Sequence, residues 1–416
     1  MVFEQIAGQI NNNRNEINEF IGKNLSKHPL PFYSSFDIRA SSCKAAVVDA
    51  NLFPAGFNNI CPGGIRAAAQ LVEQILLKRY PDKLRIIAVY SEDHTRNSYY
   101  FQNLHALHKL LSVAGFKTLL VTDNDYFKED PASVKTADGD TIKLHRLKTK
   151  NSQLTAGEED IDLLLSNNDF SNGVPEILKE TETPLIPSPL VGWWNRSKHR
   201  HFEHAKKILV ELAEILNIDP WLLYPETRFV SEVNLTNKSG FDKVAASIDE
   251  IIAHSKNKMR EHNSDEPLAA FVKSAHGTYG MGVYSFDSGK EFMEMNRSRR
   301  DSMARRKGGG KNDSFIIQES IRTADRVDNL IAEPVIYCLE HQPIGGFLRT
   351  NKKRSDLENL NSRGVKFTAE DLCPMFIHDA DKNKGTNISQ ARIEIYKLLA
   401  TAATLACGRE IAELNP

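Results

Sequence analysis

Leu268–Tyr284 reads LAAFVKSAHGTYGMGVY: an apolar run delivers Lys273 to a loop carrying Gly277, Gly280 and Gly282, and a second apolar run follows. Glycine lacks Cβ, so such a loop can take positive φ and bring backbone N–H groups against phosphate oxygens, while the lysine ammonium acts as a point charge. The stretch therefore predicts a strand, a phosphate-covering loop and a second strand, one way to hold a nucleoside triphosphate. The same spacing suits a β-hairpin whose glycines only satisfy turn geometry, so the surrounding chain has to decide.

Around this stretch the carboxyl-terminal half reads mainly as strands: Leu268–Ser274, Val283–Phe286, Ser314–Glu319, Leu330–Leu339 and Ile344–Thr350. A helix is expected over Gly240–Asn263 before them, then Ile393–Ala406 as helix and Arg409–Leu414 as a closing strand. Between the strands, RRDSMARRKGGGKND at Arg299–Asp313 is basic and glycine-rich, and is expected to be a mobile connection or a loop over phosphates. No aromatic residue is interleaved in it, which disfavours a nucleic-acid patch.

The amino-terminal half has a different rhythm. Apolar residues Ile6, Ile10, Ile17 and Ile21 predict one opening amphipathic helix over Met1–Leu25. Strands are expected at Ala45–Val48, Arg85–Tyr90, Lys117–Val121 and Ile161–Leu165, with helices at Gly64–Tyr80 and Ser98–Ala114. Such alternation predicts an α/β class with a mostly parallel sheet covered on both faces. PLIPSP at Pro184–Pro189 and the Trp193–Trp194 pair mark a junction before the amphipathic Lys198–Leu216, so we expect domains over 1–190 and 191–416. Three strands exit into polar clusters, Asp49–Asn51, Ser91–Asn97 and Ser166–Asp169, which either line one crevice or cap turns and helices.

Bulk properties narrow the function classes. At 416 residues the chain exceeds what one core usually serves, and about two to three subdomains are expected. Hydrophobic residues at 41%, charged residues at 26% and a formal net charge of −1 describe a globular protein with no global pull towards nucleic acid or a membrane. The first twenty residues lack the apolar core of a secretory signal and no later run is long enough to span a bilayer, so a cytoplasmic protein is expected. Cys43, Cys61, Cys338, Cys373 and Cys407 are scattered without metal-ligand spacing, and are read as reduced packing residues. A homo-oligomer is compatible with these properties.

Chemistry-bearing residues gather after the glycine loop. FIIQES at Phe315–Ser320 ends an apolar strand with Gln318 and Glu319, where an adenine ring would find walls and a ribose an acceptor. In IAEPVIYCLEHQPIGGFLRTNKKRSDLENLN, Glu333 starts a strand, Gly345–Gly346 are expected to turn the chain, Arg349 ends the next strand, and Asn359 and Asn361 occupy a polar loop. Arg349 has the donor fork that suits a transferring phosphoryl group. Glu413 and Asn415, at i and i+2 of the expected last strand, would share a side and offer hard oxygen ligands to Mg²⁺. Asp37 and Arg39, two apart on the extended SFDIR stretch, would share a side and bind an amino acid's ammonium and carboxylate, or form a surface ion pair. Arg196 and Arg96 are further carboxylate candidates.

The order of Lys198 in NRSKHRHF, Lys273 with its glycine loop, Gln318–Glu319, Gly345 to Arg349, Asn359 with Asn361, and a final Glu-x-Asn resembles the ATP-grasp fold. Within it, SFDIRASSCKAAVVDANLFPAGFNNICPGG, VKSAHGTYGMGV, IAEPVIY and GGFLRTNKKRSDLENLNSRGVKF are similar to the proteobacterial glutamate–cysteine ligases that use an ATP-grasp domain. The resemblance covers nearly the whole chain, and implies an ATP-grasp domain after the amino-terminal α/β domain. It implies MgATP-dependent joining of L-glutamate to L-cysteine, with Lys198 and Lys273 on the phosphates and Gly277–Gly282 covering them. Glu413 and Asn415 would hold Mg²⁺, with Glu333 as a third candidate.

Such a reaction first converts a carboxylate into an acyl phosphate, so it needs gathered positive charge rather than an enzyme nucleophile. No G-x-S-x-G motif is present. A glutathione synthetase-like ligase with another acceptor, or a nucleotide-binding regulatory protein without turnover, would share the same phosphate-binding residues.

Overall fold

The computed structural model describes residues 2–81, 84–276, 283–304, 312–362, 364–368, 372 and 386–415. Helices α1 (Val2–Asn12) and α2 (Arg14–Leu25) precede strands β1 (Tyr33–Ala40) and β2 (Ala45–Asn51). An α/β stretch follows with α3 (Pro62–Arg79), β3 (Ile86–Ser91), α4 (Ser98–Val113) and β4 (Lys117–Thr122). It continues through β5 (Ala132–Lys135), β6 (Thr141–Lys150), β7 (Gln153–Ala156), β8 (Glu159–Asp160), β9 (Leu163–Asn167) and β10 (Leu185–Ile186). Next come α5 (Lys198–Leu216), β11 (Thr227–Val230), α6 (Phe241–Glu261), β12 (Ala270–Ser274), β13 (Tyr284–Phe286), α7 (Gly289–Met293) and α8 (Arg297–Met303). The chain closes with β14 (Phe315–Glu319), β15 (Arg326–Val327), β16 (Leu330–Leu339), β17 (Gln342–Thr350), β18 (Lys366–Thr368) and α9 (Gln390–Leu414).

Three sheets organise these elements. Strands β9, β3, β4 and β6 lie parallel in an eight-stranded sheet, as the βαβ alternation predicts. The run expected at Ala45–Val48 does not join them. As β2 it pairs antiparallel with β1, and β1 pairs with β16, in a sheet ordered β18-β17-β16-β1-β2. This second sheet draws strands from both sides of residue 190, so the expected division there does not separate the sheets. The third sheet, β11-β14-β12-β13, is packed by α6 through Val244, Ile248 and Ile251.

Helix α9 shows why the closing strand is absent. Its Ala-, Leu- and Cys-rich sequence is buried on nearly every side, against α1, α5 and the mixed-origin sheet, and it stays helical to Leu414. Gly408 lies inside the helix at a close approach: an added Cβ would lie 2.6 Å from the Pro29 carbonyl oxygen. Likewise Gly345 and Gly346 do not turn the chain. They lie inside β17, and a Cβ on Gly346 would collide with the Val335 carbonyl of the neighbouring strand.

The opening helix is two helices, broken at Asn13, whose side-chain amide donates back to the Gln9 carbonyl. Arg299–Asp313 begins within α8, and 305–311 lie outside the described residues. Cys43, Cys338 and Cys407 are free and buried as expected, whereas Cys61 is disulfide-bonded, which corrects that reading. No described helix is long and apolar enough to cross a membrane.

Candidate functional site

Strand alternation gives the mixed-origin sheet an apolar face and a polar one, the latter also carrying Val335, Tyr337 and Phe347. On β1, Phe36, Ile38 and Ala40 join the core beneath α9, while Ser35, Asp37 and Arg39 face the other way. Register places Asp37 opposite Asp49, Ser35 opposite Asn51, and Glu333 opposite Arg349. These pairings set Arg349 beside Glu333 and two carboxylates, Asp37 and Asp49, beside each other. Arg349 Nη1 donates to Asp37 Oδ2 and to Glu333 Oε1, each at 2.7 Å, and Arg39 Nε donates to Glu333 Oε2 at 2.6 Å.

The polar face forms one wall of a cavity of about 840 Å³, to which Asp37, Asp49, Asn51, Arg349 and Asn361 contribute. Segments around Asn58 and Asn97 supply the opposite wall, so two of the three polar strand exits do share a crevice. The third is behind it: Asn167 hydrogen-bonds Asn103 at 2.9 Å, and Asn103 in turn accepts from the backbone of Gly56 and Phe57.

Two lysines reach strand β2 from other elements. Lys198 opens α5 and its ammonium pairs with Asp49. Lys273, at the end of β12, donates to Gln318 Oε1 at 2.6 Å and to the Val48 carbonyl at 2.9 Å. Burial lowers the Lys273 pKa to about 8, against the pull of Asp49 in the other direction. Burial would raise Asp49, yet Lys198 and Lys273 outweigh it and hold the carboxyl below its usual value. Asp37 goes the other way: burial raises it and Arg349 only partly offsets that. For Glu333, burial is overcome by Arg39 and Arg349, which keep it ionised.

Several expected residues occupy other surroundings. Arg39 is 2% exposed and held by Glu333 and by the carbonyls of Ile321 and Glu358, so it does not line the cavity. Glu319 is buried against the Lys44 ammonium at 2.5 Å and accepts from Glu226 N. Asn359 shapes its own turn by accepting from Asn361 N. Arg196 is buried against Glu410, and Arg96 is exposed outside the cavity lining. Gly277, Gly280 and Gly282 lie outside the described residues.

Glu413 and Asn415 require a correction. Glu413 is on α9, half exposed and 3.1 Å from His204, and Asn415 caps the helix end, so the alternation of a strand does not put them side by side. The same acid-x-amide pattern does occur on a strand, at Asp49 and Asn51 of β2. Sequence reasoning noted those residues as a strand exit without applying the i, i+2 rule that singled out Glu413. With Asp37 they bring two carboxylates and an amide to one cavity; the Asn51 oxygen accepts from Phe53 N at 3.0 Å and keeps its second lone pair, so the set remains one of hard oxygen donors suited to a divalent cation. Each aspartate pairs with one cation and keeps lone pairs free for another.

Comparison with known proteins gives the family. A family model described as Glutamate-cysteine ligase matches residues 8–411. Among solved structures, a protein of Methylobacillus flagellatus KT named provisionally as a gamma-glutamylcysteine synthetase is 30% identical, with a TM-score of 0.87 over 98% of this chain and 95% of that one. A glutathione synthetase-like effector from Globodera pallida is 12% identical over 89% of this chain and 80% of its own, at a TM-score of 0.40, too low to carry an argument. No curated protein sequence matches.

Proposed function

Because the chain belongs to the glutamate–cysteine ligase family and is a ligase, we propose that it joins the γ-carboxylate of L-glutamate to the amine of L-cysteine at the expense of ATP, through an ATP-grasp type of site. One observation carries this reading: Lys198 pairs with Asp49, and Lys273 holds the adjoining Val48 carbonyl, on the strand that presents Asp49 and Asn51 to a cavity shared with Asp37 and Arg349.

A glutamate carboxylate oxygen would attack the γ-phosphorus of ATP, breaking the bond to ADP and leaving γ-glutamyl phosphate. The cysteine amine would then form the amide bond as inorganic phosphate leaves with its bridging oxygen and the amine's proton passes to phosphate or solvent. Both steps crowd negative charge together. Lys198 and Lys273 would neutralise the triphosphate and Arg349 the carboxylate being phosphorylated. Asp37, Asp49 and Asn51 are the residues that fit Mg²⁺, which when bound shields the phosphate oxygens. Buried Glu333 keeps Arg349 and Arg39 aligned, as an ionised group between two guanidinium forks.

ADP release measured over amino-acid pairs tests this proposal. Glutamate with cysteine is expected to give the highest rate. Faster release with γ-glutamylcysteine plus glycine would replace it with a glutathione synthetase-like activity, and binding of MgATP without release for any pair would leave a binding protein.

A further inference from the structure

Strand β2 is an edge strand among the described residues, so the carbonyls on its outer side have no strand partner. Two buried cations take them. Lys273 Nζ donates to the Val48 carbonyl and Arg196 Nη1 to the Ala50 carbonyl, both at 2.9 Å. Asp49 lies between those two carbonyls and Asn51 follows them, so the edge of the strand is clamped where its side chains enter the cavity.

Arg196 also ties this edge to three other elements. Its Nε donates to Glu410 Oε1 of α9 at 2.9 Å, and the pair is at most 1% exposed. Its own carbonyl accepts from His276 Nδ1 at 2.8 Å, just beyond β12. Two residues on, the backbone N–H of Lys198 donates to the Ala275 carbonyl at 2.9 Å. One guanidinium thus stands where the acid strand, the start of α5, the exit from Lys273 and the central helix meet.

We propose that Arg196 and Glu410 form a positioning pair that fixes Asp49 and Asn51 relative to Lys198 and Lys273, and so sets the affinity for the divalent cation without touching it. This rests on the assignment of Asp37, Asp49 and Asn51 as the cation's ligands. An isolated guanidinium in this core would be strongly destabilising, which is why Glu410 has to remain charged. Burial would raise the Glu410 carboxyl, but Arg196 and His201 bring it down to about 2.

Another use of Glu410 competes with this one. The ligand atoms of His201, Cys407 and Glu410 lie within 4.8 Å of one another, a set that composition would allow for a transition metal. Charge argues for the positioning role: Arg196 already neutralises Glu410, and a metal dication beside it would add buried positive charge.

The deciding variant is the double substitution Arg196→Met with Glu410→Leu, since replacing both partners of a buried pair by apolar groups is often tolerated whereas removing one is not. Mn²⁺ binding in the presence of ADP, followed by the electron paramagnetic resonance of free Mn²⁺, is read together with thermal unfolding. We expect near wild-type unfolding and a Kd for Mn²⁺ raised about tenfold or more, a loss that stability alone does not produce. Should the double variant not fold, Arg196→Lys is expected to show the same weakening, because an ammonium lacks the fork that reaches both Glu410 and Ala50.

Unchanged Mn²⁺ affinity in a folded variant would overturn the proposal. So would a stoichiometric transition metal in the purified wild-type protein that His201→Ala removes. Weakened Mn²⁺ binding in a protein that releases ADP with no amino-acid pair would retain the positioning pair and refute the ligase reading instead.

Discussion

Lys273 carries its ammonium in a buried site where its pKa falls to about 8, so near that pH it is half charged before any ligand arrives. A phosphate beside it favours the protonated form and raises the pKa, so binding takes up protons where the free group is partly neutral. We predict uptake of about half a proton per MgADP bound at pH 8 and almost none at pH 6.5, with affinity falling as pH rises above 8. Calorimetry in two buffers of different ionisation enthalpy measures this. Absence of uptake at pH 8, or uptake that survives Lys273→Met, would contradict it. At this scale the sequence was legible in kind and not in partner. Lys198, Lys273 and Arg349 stand out as cations by spacing; Arg349 lines the cavity, while Lys198 reaches Asp49 and Lys273 the Val48 carbonyl of the strand behind it. Arg196 reads as a carboxylate binder and does bind one, but the carboxylate is Glu410, 214 residues away in the chain. Nothing local distinguishes an internal partner from a substrate.

Among elements, β16 and α5 were readable end to end because a continuous apolar run and a helical period are local signals. Helix α9 was not, since its burial on nearly all sides erases the amphipathic period that marks a helix. The packing around Gly408 yields a prediction opposite in sign to helix propensity. Glycine to alanine inside a helix ordinarily stabilises by about 1 kcal/mol. Here the new methyl would meet the Pro29 carbonyl at 2.6 Å, so Gly408→Ala is expected to destabilise by roughly 1–3 kcal/mol. A lower urea midpoint with an unchanged slope would show it, and a stabilised variant would mean that the helix and the Pro29 segment are not packed as described.

For the molecule as a whole, the parallel sheet was legible from strand–helix alternation, whereas the sheet that carries the site was not. It joins β1 to β16 across about three hundred residues, and periodicity says nothing about pairing at that separation. In that sheet an acid-x-amide pair on an amino-terminal strand, Asp49 and Asn51, comes into register with β1 and its Asp37, whereas Glu413 and Asn415 end a helix. The measurement that tests this most directly is anomalous diffraction from crystals soaked with Mn²⁺ and a non-hydrolysable ATP analogue. The account predicts an anomalous peak within coordination distance of Asp37, Asp49 and Asn51, with the phosphates reaching Lys273. A peak beside Glu413 and Asn415, or nucleotide bound away from this cavity, would contradict it.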